Sequence, residues 1–178
     1  MTIEMANGAY EDLALLEWRQ GNVAAASRNF DRAAALVADL GKRDPKNTGW
    51  TIQRPASIQL GRALTDKGGG PPAEMAALAK DWLGKLDPED PGHVWLRIAA
   101  HLVDAIAASR AGNPAGAAAS YARAIAVEPQ GEGININATA LRAVAAERLG
   151  QADLARQLRG QLREKNIDPA IDDRIPKN

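Results

Sequence analysis

Residues 105–129 read AIAASRAGNPAGAAASYARAIAVEP, and this stretch decides the fold. Two alanine-rich runs flank Gly112-Asn113-Pro114, and the second run ends at Glu128-Pro129. Alanine has the highest helix propensity, glycine closes a helix in the left-handed conformation, and proline is tolerated in a first helical turn. The run before Gly112 therefore reads as one helix and the run after Asn113 as a second, folded back on it. Pro129 stops that second helix, because proline lacks an N–H and pushes the residue before it out of the helical region.

The same punctuation recurs along the chain. Acid-proline pairs stand at Asp44-Pro45, Asp87-Pro88, Glu128-Pro129 and Asp168-Pro169, with the acids 43, 41 and 40 positions apart. A period near 40 residues marks a stacked helical repeat. An internal match supports it. Gly21-Asn22-Val23-Ala24-Ala25-Ala26 aligns with Gly112-Asn113-Pro114-Ala115-Gly116-Ala117, and at the same offset of 91 Phe30 meets Tyr121, Arg32 meets Arg123 and Ala33 meets Ala124. The expected fold is all-α: about four antiparallel helix pairs forming an α-solenoid over residues 1–167, then a polar tail, 168–178. The expected helices are Ala9–Gln20 with Val23–Leu40, Pro55–Lys67 with Pro72–Leu86, Gly92–Ala111 with Pro114–Val127, and Ile134–Leu149 with Ala152–Asn166.

Composition agrees with helices and narrows the function classes. Apolar residues make up 46% but aromatics only 4%, so alanine supplies much of the apolar content and there is little to build a sheet from. The 22 basic and 22 acidic residues balance, without the basic excess expected of a nucleic-acid binder. No apolar run approaches the roughly 20 residues that span a bilayer, and the N-terminus lacks a basic-then-apolar signal pattern. The chain has no cysteine, hence no disulfide, thiol nucleophile or cysteine-based zinc site. The expectation is a cytoplasmic protein with no membrane or nucleic-acid partner.

In the third pair, Ala105, Gly112, Ala117, Tyr121, Ala124 and Pro129 resemble the tetratricopeptide repeat (TPR) in both residue type and spacing. The first pair resembles it through Ala14, Gly21, Ala26, Phe30 and Ala33, and the fourth keeps Ala143, Gly150 and Ala155 but has Arg159 and Leu162 where an aromatic and an alanine belong. The second pair fits only at Ala76, Leu83 and Pro88. The long Asp-Pro linkers also resemble helical tails of bacterial multidomain signalling proteins. The TPR resemblance implies a curved stack whose concave face is lined by the first helix of each pair. Its register would place Trp18 and Arg19, Leu102, Ile106 and Arg110, and Leu141 and Arg148 on that face.

Arg19, Arg110 and Arg148 each stand two residues before a turn glycine, so stacking would set them in a row, with Arg62 joining from the second pair. Such a row could grip carboxylates of an extended partner segment, since guanidinium binds carboxylate bidentately, and Trp18 could anchor it. The competing reading is that basic residues near a helix C-terminus simply complement the helix dipole. Trp50 and Trp95 read as clamps of the linkers onto the core, and Trp82 as core.

Motifs of catalysis do not assemble. His93 and His101 lie two helical turns apart, too far to share a metal, and read as packed or solvated. Lys67-Gly68-Gly69-Gly70-Pro71-Pro72 lacks the Gly-Lys-Ser/Thr ending of a phosphate loop. The expectation is therefore a non-enzyme without cofactor or metal: a scaffold binding a protein or peptide, acidic in character, in its groove. The alternative is a structural, oligomerising or regulatory region of a larger signalling protein, with a second copy of the chain as partner. A third reading is a small-molecule sensor with an apolar pocket around Leu102, Ile106 and Leu141.

Overall fold

Gly112 and Gly150 adopt φ of 72° and 71°, the left-handed conformation their positions in the sequence required. Both turns close with the same pair of hydrogen bonds. Gly112 N–H donates to Ser109 O and Asn113 N–H to Ala108 O, while Gly150 N–H donates to Glu147 O and Gln151 N–H to Ala146 O. This pattern satisfies two carbonyls that the end of a helix otherwise leaves unpaired. Asn22 N–H donates to Glu17 O in the corresponding place of the first turn. The sequence repeat is thus repeated in backbone hydrogen bonding.

The computed structural model describes residues 3–19, 22–65, 70–129 and 135–165, the side chains of residues 3–5, 15, 18 and 19 excepted. The expected tail, 168–178, lies outside the described residues. The described residues are all-helical, with eight α-helices and no strand. They fall into two compact units, residues 1–69 and 70–178.

The first unit holds α1 (Ile3–Arg19), α2 (Val23–Arg43) and α3 (Arg54–Thr65). Helix α1 packs along α2, and α3 leans on both. Their core joins Ala14, Phe30, Ala33, Val37 and Ile58, with Tyr10 against it. Phe30, 2% exposed, reaches from α2 to the backbone of α3 at Gly61. Polar ties add direction. Asn7 Nδ2 donates to Ala33 O at 3.0 Å, and the Glu11 carboxylate accepts from Arg54 at 3.1 Å and from the Ser57 hydroxyl. Helix α1 begins six residues before the expected Ala9, through Asn7 and Gly8, both poor helix formers. Burial of Asn7 against α2 overrides that propensity.

After Asp44 the chain forms a π-helical turn, Gly49–Gln53, where a loop was expected as far as Trp50. Asn47 organises it. Its side chain accepts from Gly49 N–H at 3.0 Å, and its carbonyl accepts from Trp50 N–H, Thr51 N–H and the Thr51 hydroxyl.

The second unit holds α4 (Pro72–Lys85), α5 (Val94–Arg110), α6 (Pro114–Ala126), α7 (Ile136–Arg148) and α8 (Ala152–Glu164). Helix α5 is central, packed against α4, α6 and α7, while α7 also packs against α6 and α8. The side chains of Leu96, Ile98, Leu102, Val103 and Ile106 on α5 are at most 1% exposed. Burying each contributes about 1.5–3 kcal/mol before entropy is counted. Alanines dominate the buried positions of α7, among them Ala138, Ala143, Ala145 and Ala146, which lets neighbouring helices approach closely. Asn113 and Asn135 cap α6 and α7 by accepting from Gly116 N–H and Ala138 N–H.

Helices α3 and α4, expected as two arms of one pair, fall in different units, and the neighbour of α4 within its own unit is α5. Trp82 is core as expected, 4% exposed, with the Lys85 ammonium 5.0 Å from its ring centre.

Candidate functional site

Arg110 and Arg148 end α5 and α7, two residues before the left-handed glycines. Both side chains are partly exposed. Arg110 Nη1 lies 3.4 Å from the sulfur of Met75 on α4, which steers the guanidinium across the end of that helix. Burial pushes the Tyr121 phenol above its ordinary pKa, and the positive charge of Arg148 partly opposes the shift. Arg142 on α7 also donates from Nε to Ile125 O near the C-terminus of α6, so α7 runs antiparallel to α6 and its end points towards the N-terminal end of α6. That is also where the short turn from α5 arrives, so Arg110 and Arg148 occupy the same end of the second unit. Arg148 complements the C-terminal dipole of α7, as Arg110 does that of α5.

Arg62 sits in the first unit on α3. Its Nη1 is 2.5 Å from Asp31 Oδ1, and its Nη2 is 3.3 Å from Ser27 Oγ, both on α2. With Val23, Ala26, Ser27, Phe30 and Thr65 it lines a cleft of about 330 Å³. The ion pair is half-exposed, and such pairs are worth only about 0–1 kcal/mol, so its carboxylate can be exchanged for another at little cost.

The remaining expected residues divide. Trp18 and Arg19 lie in the last turn of α1, and their side chains are outside those described. Leu141 is half-buried on α7. Leu102 and Ile106 are corrected: at 0% and 1% exposure they are core, not groove lining. The reason is that α5 has neighbours on three sides.

Sequence reasoning missed the one polar stripe of α5, Arg97, His101 and Asp104. Spaced by four and three residues, they are the only charged or imidazole side chains between Val94 and Ser109, so they mark one polar side of α5, and it borders α6. All three are partly exposed. Asp104 accepts from the Ser120 hydroxyl at 2.5 Å. The His101 pKa is lowered, first by burial and then by the charges of Arg123 and Arg97, with Asp104 opposing.

His93, 3% exposed, is a structural residue of the second linker. Its Nδ1 accepts from Asp87 N–H at 3.1 Å, which makes the neutral ring protonated at Nε2, 3.6 Å from Asp90 Oδ2. Asp90 in turn caps the following turn by accepting from Gly92 N–H. Among the described residues no three His, Asp or Glu side chains come together as a metal site, and no helix is long and apolar enough to cross a membrane. No family model, curated protein or solved structure matches the chain.

Proposed function

We propose that this protein is a TPR-like helical-repeat scaffold that binds an acidic, extended segment of a partner protein. The observation that carries the reading is the equivalence of Arg110 and Arg148. Each is a partly exposed arginine two residues before a left-handed glycine, on neighbouring first helices of consecutive hairpins. Repeating one side chain at one place of each hairpin is how a repeat scaffold spaces contacts along an extended ligand. Arginine suits the role because its planar fork pairs with carboxylates in two hydrogen bonds. Arg62, already on Asp31 and Ser27, shows the same chemistry within the first unit.

The test uses fluorescein-labelled peptides rich in glutamate and leucine, with lysine-for-glutamate counterparts, titrated at low salt and followed by anisotropy. The acidic set is expected to bind and the basic set not. Arg110→Ala combined with Arg148→Ala should weaken binding tenfold or more, since charge-assisted hydrogen bonds are worth about 1.5–3 kcal/mol each. Added salt should weaken it further. Equal binding of both sets, or an unaffected double variant with a normal helical spectrum, would overturn the reading.

A further inference from the structure

We propose that the outer face of α1 is a homodimer interface, in which two copies of α1 pair antiparallel with residues 9 and 13 opposite each other. The described residues expose three large apolar side chains, Leu13 at 39%, Leu16 at 48% and Ile136 at 44%. Two of the three lie on α1. With Ala6 and Ala9 they form one stripe, spaced by three, four and three residues, on the flank turned away from Asn7 and Ala14. This is the pattern of a helix–helix seam.

What covers the seam is argued from its own asymmetry. The two small residues stand at its N-terminal end and the two large ones at its C-terminal end. An antiparallel twofold pairing opposes Ala6 to Leu16 and Ala9 to Leu13, each small residue receiving a large one. Filling space this way reaches interior packing density without strain. A parallel pairing would oppose Leu16 to Leu16 and leave Ala6 facing Ala6 across a gap. The stripe is thus complementary to a second copy of itself, as a twofold interface requires.

The other terminal helix provides the contrast. Helix α8 turns Ala155, Leu158 and Leu162 inward, and its exposed positions include Asp153, Arg156, Gln157, Arg163 and Glu164. Such a surface is already suited to water and acts as a cap; α1 offers leucines instead. A seam of one short helix falls below the roughly 1,200 Å² total of a standard interface, so the dimer is expected to be transient, with a micromolar Kd. The proposal is independent of the arginine reading, and Arg110→Ala with Arg148→Ala should leave dimerisation unchanged.

The experiment measures mass by light scattering and sedimentation over roughly 1 to 300 µM protein, a range that brackets such a Kd. Wild type is expected to shift from monomer towards dimer, and Leu13→Glu with Leu16→Glu to remain monomeric with an unchanged helical spectrum. Because the chain has no cysteine, orientation can be read by crosslinking. Ala9→Cys mixed with Leu13→Cys should give mainly the mixed disulfide under mild oxidation. A wild type that stays monomeric, a double variant that still dimerises, or a preference for like-with-like disulfides would each overturn the proposal. The first outcome would leave another protein or a preceding segment as the occupant of this face.

Discussion

Glycine acts differently at two kinds of position in this chain, and the difference can be measured. At Gly112 and Gly150 a Cβ would meet nothing within 4 Å, so space is no obstacle, but φ is positive. Gly112→Ala should therefore cost about 1–2 kcal/mol from backbone strain alone. Gly160, inside α8, also faces open space but lacks a positive φ, so Gly160→Ala should stabilise by about 0.5–1 kcal/mol. Urea denaturation of the two variants checks both signs. His101 gives a pH-dependent prediction. Its folded pKa lies below the ordinary 6.5, so between the two values the unfolded chain binds more protons. Stability then rises with pH across that window; it is fully present above the unfolded value and is lost as pH falls through the folded one. Melting temperature should drop on acidification below about 6.5, and His101→Gln should flatten that part of the profile. The turn glycines were legible in the sequence because φ is a local property. The lowered His101 pKa was not, because it depends on burial and on Arg123 from another helix.

Phe30 and Tyr121, matched at the offset of 91, behave as equivalent parts of α2 and α6. Each is buried, Phe30 facing Gly61 on α3 and Tyr121 lying in the field of Arg148 on α7, so each reaches the helix that follows its own hairpin. Phe30→Ala should cost about 3–5 kcal/mol in chemical denaturation, the loss expected when a buried aromatic leaves a cavity. Helix ends set by glycine, asparagine and proline fall close to where the sequence placed them. Those set by packing do not: α1 starts early because Asn7 finds Ala33 O, 26 residues away. The groove assignment of Leu102 and Ile106 failed for a related reason. A register carried over by resemblance assumes one open face, whereas α5 is apolar nearly all round, which is the pattern of a central helix.

The two compact units make a prediction at the scale of the whole chain. Residues 70–178 carry five helices and the core around Leu102 and Ile106, enough to fold alone. Expressed by itself, this fragment should give a helical far-UV spectrum and a single cooperative melt; a featureless spectrum would show that it needs residues 1–69. The shorter fragment should be the less stable, since small domains bury a smaller share of their surface. That the molecule would divide near Gly69 was not legible in the sequence. The even spacing of the acid-proline pairs suggested uninterrupted stacking, and only packing reveals that α4 sides with α5. The alanine-lined contacts of the second unit carry one last consequence. Where a helix meets its neighbours through Ala138, Ala143, Ala145 and Ala146, even one added methyl group must wedge two backbones apart. Descendants of this chain would be held nearly frozen along those contacts, while the outward-facing positions stay free to vary, so new partners could be acquired without reinventing the frame.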